Sequence, residues 1–117
     1  MPHYLTIGYG DRAAYDRTPK ALRDAAHAHD RILVTQGAVM GIAGAPVQVR
    51  NPEDCGVQTV NAHYLSSELP VAGFALIEAA SLDEAIRLAA QSPCAIAYGV
   101  VEVWPLVTPD LVTPDVE

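Results

Sequence analysis

The chain has 117 residues, half of them apolar and 18% charged, with a formal net charge of −7. That size and balance fit one globular domain and argue against a disordered chain. The acidic balance argues against a nucleic-acid partner, which needs a basic stripe, and against an anionic membrane surface. The charge is uneven. Residues 1–50 hold six Arg or Lys against four Asp or Glu, whereas residues 51–117 hold Arg87 against ten acids. No apolar run nears the roughly 20 residues of a membrane span. No basic stretch leads into an apolar one at the N-terminus, so a cytoplasmic location is expected rather than a secreted one. Cys55 and Cys94 match no metal or redox spacing and are expected as free thiols. Gly37, Gly41 and Gly44 lack the Lys-Ser/Thr of a phosphate loop.

His3–Tyr9 alternates as a first strand, with Leu5, Ile7 and Tyr9 on one face and Tyr4, Thr6 and Gly8 on the other. Gly10-Asp11 breaks it. Thr18-Pro19 predicts a helix start, with Thr18 as N-cap, and the helix runs to about Gln36 before Gly37. Its apolar seam is Leu22, Ala25, Ala26, Ile32 and Leu33, with His29 inside it; His27, Arg23, Asp30 and Arg31 fall on the other side as a solvated face. A second strand is expected at about 39–44, with 47–50 as an extension beyond Pro46. Asn51–Asp54 reads as a turn, 56–60 as a third strand, 63–71 as a loop and 73–79 as a fourth, buried strand. Ser81 and Glu84 form a capping box for a helix that buries Leu82, Ala85, Ile86 and Ala89 and ends before Pro93. Residues 98–104 are the last strand. Val-Thr-Pro-Asp then occurs twice, which predicts an acidic, Pro-containing tail over 107–117, outside a domain of residues 1–106.

The order strand, helix, three strands, helix, strand predicts an α+β ferredoxin-like sandwich, an antiparallel sheet with two helices on one face. The other face needs cover, and a homodimer through that face is the simplest solution.

Tyr4–Asp11 followed by Ala13-Ala14-Tyr15, Ala72–Glu78 with Leu82–Ala85, and Val101–Leu106 resemble, in order and spacing, the segments of YCII-related (DGPF-domain) proteins. The similarity spans about residues 4–106. It implies a dimeric α/β barrel without bound metal and chemistry of the elimination or isomerisation kind. The Asp-Gly-Pro-Phe of that family falls on Asn61-Ala62-His63-Tyr64 here, and the acid of its Asp-Pro-Tyr falls on Ser92. Both acids of the family pattern are therefore absent, and a His–Asp mechanism does not transfer directly.

His29 is the first candidate for catalysis. It lies on the helix face that should meet the sheet, where an imidazole can exchange a proton near neutral pH; the competing reading is a core-edge histidine bonded to a backbone carbonyl. His63 is the second candidate, in a loop at the place of the family motif, with Asn61 and Tyr64 as hydrogen-bond donors to a ligand oxygen. Tyr9 is a further substrate-binding candidate. No metal or cofactor is expected, because no third ligand joins His29 and His63. Cys55 and Cys94 have no basic neighbour to activate a thiol. These residues predict a small cofactor-independent enzyme using histidine for dehydration, isomerisation or cyclisation of an apolar, oxygenated metabolite. The alternative is a non-catalytic small-molecule-binding module of the same fold.

Overall fold

The structure, a computed structural model, describes residues 1–107; residues 108–117, nearly all of the expected tail, lie outside the described residues. Four strands form one antiparallel sheet: β1 (His3–Tyr9), β2 (Val39–Ile42), β5 (Val71–Glu78) and β6 (Val100–Leu106), in the order β2-β5-β1-β6. Two short strands, β3 (Gln48–Arg50) and β4 (Gln58–Val60), make a separate two-stranded sheet. The helices are α1 (Arg12–Arg17), α2 (Lys20–Thr35), α3 (Leu82–Ala90) and α4 (Pro93–Ile96). The result is an α+β fold compatible with the ferredoxin-like arrangement. No helix among the described residues is long and apolar enough to cross a membrane.

β1 sits between β5 and β6 and carries the alternation seen in its sequence. Tyr4 pairs with Ile77, Thr6 with Ala75 and Gly8 with Gly73, so these side chains share a face. Tyr4, Ile77, Ala79 and Ala85 form the core there, joined by Leu33, Leu88 and Val103. Ala85 and Ala89 let α3 lie close to the sheet. Leu82 and Ile86 are exposed, contrary to the sequence reading, because the inward stripe of α3 is the narrower Ala85–Leu88–Ala89 row. The capping box holds: Glu84 N–H donates to Ser81 Oγ at 3.2 Å, while the Glu84 carboxylate accepts from the N–H of Ala80 at 2.6 Å, one residue further back than the usual pattern.

The N-terminal helical region departs most from expectation. Asp11 caps a helix of its own, accepting from Ala14 N–H at 2.7 Å. Thr18 closes that helix, its hydroxyl donating to the Ala14 carbonyl at 2.9 Å, so it cannot cap α2, which starts after Pro19 with no side-chain cap. The buried stripe of α2 is also rotated. Ala26 is 3% exposed and Leu33 half-buried, with Arg23, His27 and Asp30 on the same face, whereas Leu22 and Ile32 are half-exposed. Apolar periodicity ranks helix faces by their grease, and here the inward face borders a partly polar cavity. The segment beyond Pro46 does not extend β2; it pairs instead with 58–60.

On the opposite face of the large sheet, Leu5 lies between Leu76 and Trp104, and Ile7 between Phe74 and Glu102. Val39 (69% exposed), Phe74 (43%) and Trp104 (53%) leave this face an open apolar surface.

Candidate functional site

A cavity of about 700 Å³ lies between the helical layer and the sheet face that bears Thr6, Gly8, Gly73 and Ala75. It exists because the elements around it meet through small residues. Cys94 of α4 packs on Gly8, where a Cβ would come 2.8 Å from its Sγ. Ala72, Ala89 and Ala97 add little bulk to the walls, and Met40, Leu33 and Leu88 supply apolar surface. Such a largely apolar hollow with a few converging polar groups is the usual form of a small-molecule site.

The polar groups come from the two N-terminal helices. Tyr15 Oη lies 2.7 Å from His27 Nε2, the rings meeting edge-on with centroids 5.9 Å apart at 61°. Asp30 follows His27 by three residues on α2, which places both on one helix face and in the cavity wall. Burial pushes the Asp30 carboxyl above its ordinary range, against the opposing pull of His29 and His27. Burial likewise pushes the Cys94 thiol up, with the Asp30 charge adding to it, so Cys94 is a thiol that fills space rather than a thiolate nucleophile. Asp11, Arg12 and Ser92 complete the polar rim; the Arg12 guanidinium is bonded to Asp16 at 3.1 Å. Among the described residues no three His, Cys, Asp or Glu side chains group as a metal site.

The residues chosen from sequence lie elsewhere. His29 Nε2 is 2.9 Å from the Leu88 carbonyl and ties α2 to α3, the competing reading of that residue. His63 is exposed, with Nδ1 2.7 Å from the Leu65 carbonyl. Asn61 is exposed beside it, and Tyr64 is also exposed, with the Arg50 guanidinium 5.8 Å from its ring centroid. Tyr9 is on the open side of the sheet, where its hydroxyl donates to Glu102 at 2.6 Å; that bond, with burial, holds the phenol above its usual pKa. None of these five lines the cavity. His27 and Asp30 are hidden when the polar stripe of α2 is read as a solvated face, and Tyr15 when α1 is not expected. The Asp11–Ala14 capping pattern, which predicts α1, is the signal that would have brought Tyr15 beside α2.

The raised Asp30 pKa has a stability consequence. A carboxyl whose folded pKa exceeds its unfolded value stabilises the fold least where it is ionised, so stability falls as pH rises through the folded pKa. Asp30→Asn removes that charge. Its melting temperature is expected to exceed the wild-type value by ~1–3 °C at neutral pH, a small gain because the site is partly solvated, with the difference vanishing in acid where both side chains are neutral. Thermal melts across pH check this.

No protein-family model matches the chain, and a search of curated proteins finds no match.

Proposed function

We propose that this protein is a small cofactor-independent enzyme that moves protons on an apolar, oxygen-bearing metabolite, in dehydration, isomerisation or cyclisation. The observation that carries the proposal is the Tyr15–His27 pair facing, with Asp30, a largely apolar cavity of about 700 Å³. His27 and Asp30 form the proton-transfer pair, and Tyr15 orients the imidazole. This places the histidine chemistry anticipated from the sequence on a different histidine. The YCII-like resemblance is part of the proposal; the strand order β2-β5-β1-β6 is compatible with the ferredoxin-like fold it implies.

The test is solvent exchange. In deuterium oxide the protein is expected to speed deuterium uptake at the carbon next to the carbonyl of a bicyclic aryl ketone such as α-tetralone, followed by proton NMR. Binding of such ketones without any exchange would favour the alternative, a non-catalytic binding module.

We further propose a homodimer joined through the open sheet face, the second copy covering Leu5, Phe74, Leu76 and Trp104. Light scattering is expected to give twice the 12.4 kDa chain mass for the wild type and the chain mass itself for Phe74→Lys combined with Trp104→Lys. A wild-type monomer at micromolar concentration contradicts it.

A further inference from the structure

We infer that Arg23 decides which nitrogen of His27 carries the proton, making His27 the hydrogen-bond donor to a substrate oxygen and Asp30 the base; this rests on the proton-transfer reading above. Arg23 stands four residues before His27 and seven before Asp30 on the inward stripe of α2. Its guanidinium lies 5.1 Å from the centroid of the Tyr15 ring, over its face. Its Nε is buried and finds no hydrogen-bond partner among the described residues. The adjacent acid, Asp24, is bonded to Lys20 at 2.7 Å. The partner that holds Arg23 is thus the π-face of Tyr15, whose quadrupole attracts a cation.

A positive charge over the ring withdraws electron density from the phenol oxygen. That strengthens Tyr15 O–H as a donor and weakens its oxygen as an acceptor. At the 2.7 Å contact the hydroxyl therefore donates, and His27 Nε2 accepts. A neutral imidazole with Nε2 occupied as acceptor keeps its one proton on Nδ1. Nδ1–H can donate to a carbonyl oxygen but cannot take a proton from carbon.

Asp30 is then the base. The C–H bond next to the substrate carbonyl breaks, and its proton forms an O–H bond on the Asp30 carboxylate. The electron pair moves to the carbonyl oxygen, and the resulting enolate is held by the Nδ1–H of His27. The Asp30 proton then swaps with a solvent proton. Delivery of that solvent-derived proton to the same carbon completes exchange, or to another carbon of the enolate system completes isomerisation, with no change of oxidation state. Arg23 touches no substrate in this scheme and is a positioning residue.

The tautomer is read directly by long-range proton–nitrogen correlation spectra of the full 15N-labelled chain, recorded above the ordinary imidazole titration range. The expected wild-type spectrum shows His27 as the Nδ1–H form, identified by its disappearance in His27→Gln. Arg23→Met and Tyr15→Phe are expected to return His27 to the Nε2–H form, whereas Arg23→Lys keeps the wild-type pattern. In exchange assays Arg23→Met is expected to lower kcat about tenfold with KM little changed. An Nε2–H form in the wild type overturns the inference, whatever the variants do, and so does an unchanged tautomer in a folded Arg23→Met protein. The spectra need no substrate. Absent exchange with an intact Nδ1–H form therefore overturns the proposed function and leaves the tautomer control by Arg23, whereas exchange with an Nε2–H form overturns this inference and leaves the proposed function.

Discussion

Replacing His27 by glutamine is expected to cut ketone exchange by about 10²–10³-fold, the usual worth of a positioned donor to a developing oxyanion. Glutamine keeps much of the volume and a hydrogen-bonding end near Tyr15, but its amide cannot both accept from Tyr15 and present an N–H to the enolate oxygen where the imidazole Nδ1–H does. The comparison that gives the result meaning is with the two histidines outside the cavity. His63→Ala removes an exposed side chain and is expected to leave exchange and melting unchanged. His29→Ala is expected to leave exchange near wild type but to destabilise the fold by about 1 kcal/mol, the net worth of a hydrogen bond such as the one it makes with the Leu88 carbonyl. Exchange that survives His27→Gln and disappears in either other variant would return the site to the residues first picked from the sequence.

Gly99→Ala is expected to give the largest loss of stability of any single methyl added to this chain. A Cβ at Gly99 would run into the Tyr9 carbonyl oxygen and lie 2.7 Å from that of Cys94. Both obstacles are backbone, so no rotamer change relieves them. The site is already tight: Tyr98 holds a left-handed φ of 64°, costly for a bulky residue, and Gly99 N–H donates to the Cys94 carbonyl at 2.8 Å. This turn delivers the chain from α4 into β6 and sets the pairing of Val100 with Tyr9. Forcing it open is expected to cost about 3–5 kcal/mol, from a total that for domains of this kind is about 5–15 kcal/mol. Thermal melts should therefore fall by at least about 10 °C. Gly10→Ala is the control, since the nearest atom to its added Cβ is Cys94 Sγ at 3.8 Å, an ordinary contact. A Gly99→Ala protein melting within about 2 °C of wild type would show that the turn adapts and that the close approach is not a constraint.

Much of the fold is legible in the sequence because it follows from local rules. The alternation of His3–Tyr9 correctly sorted Tyr4, Thr6 and Gly8 from Leu5, Ile7 and Tyr9, since successive strand residues must point to opposite faces. Ser81 and Glu84 marked the start of α3 by capping chemistry that acts within one turn. The order of strands and longer helices was likewise readable. What failed was the orientation of α2. Leu22 and Ile32 outweigh Ala26 in any apolar count, yet Ala26 is the residue that goes inside, because its small side chain faces the packed interior beside the cavity.

The candidate site shows the same division more sharply. The chain by itself pointed to histidine as the candidate for proton chemistry, on a sequence with no metal or phosphate motif. It could not say which histidine, because His27 and His29 are two positions apart and differ only by the rotation of one helix. That rotation is decided by the packing of α2 against its neighbours, and α1 was needed to bring Tyr15 within 2.7 Å of His27. Local sequence determined the alternation of β1 and the Ser81 cap of α3. Tertiary packing alone decided which face of α2 meets the cavity, since burial depends on what stands opposite a residue as much as on the residue itself.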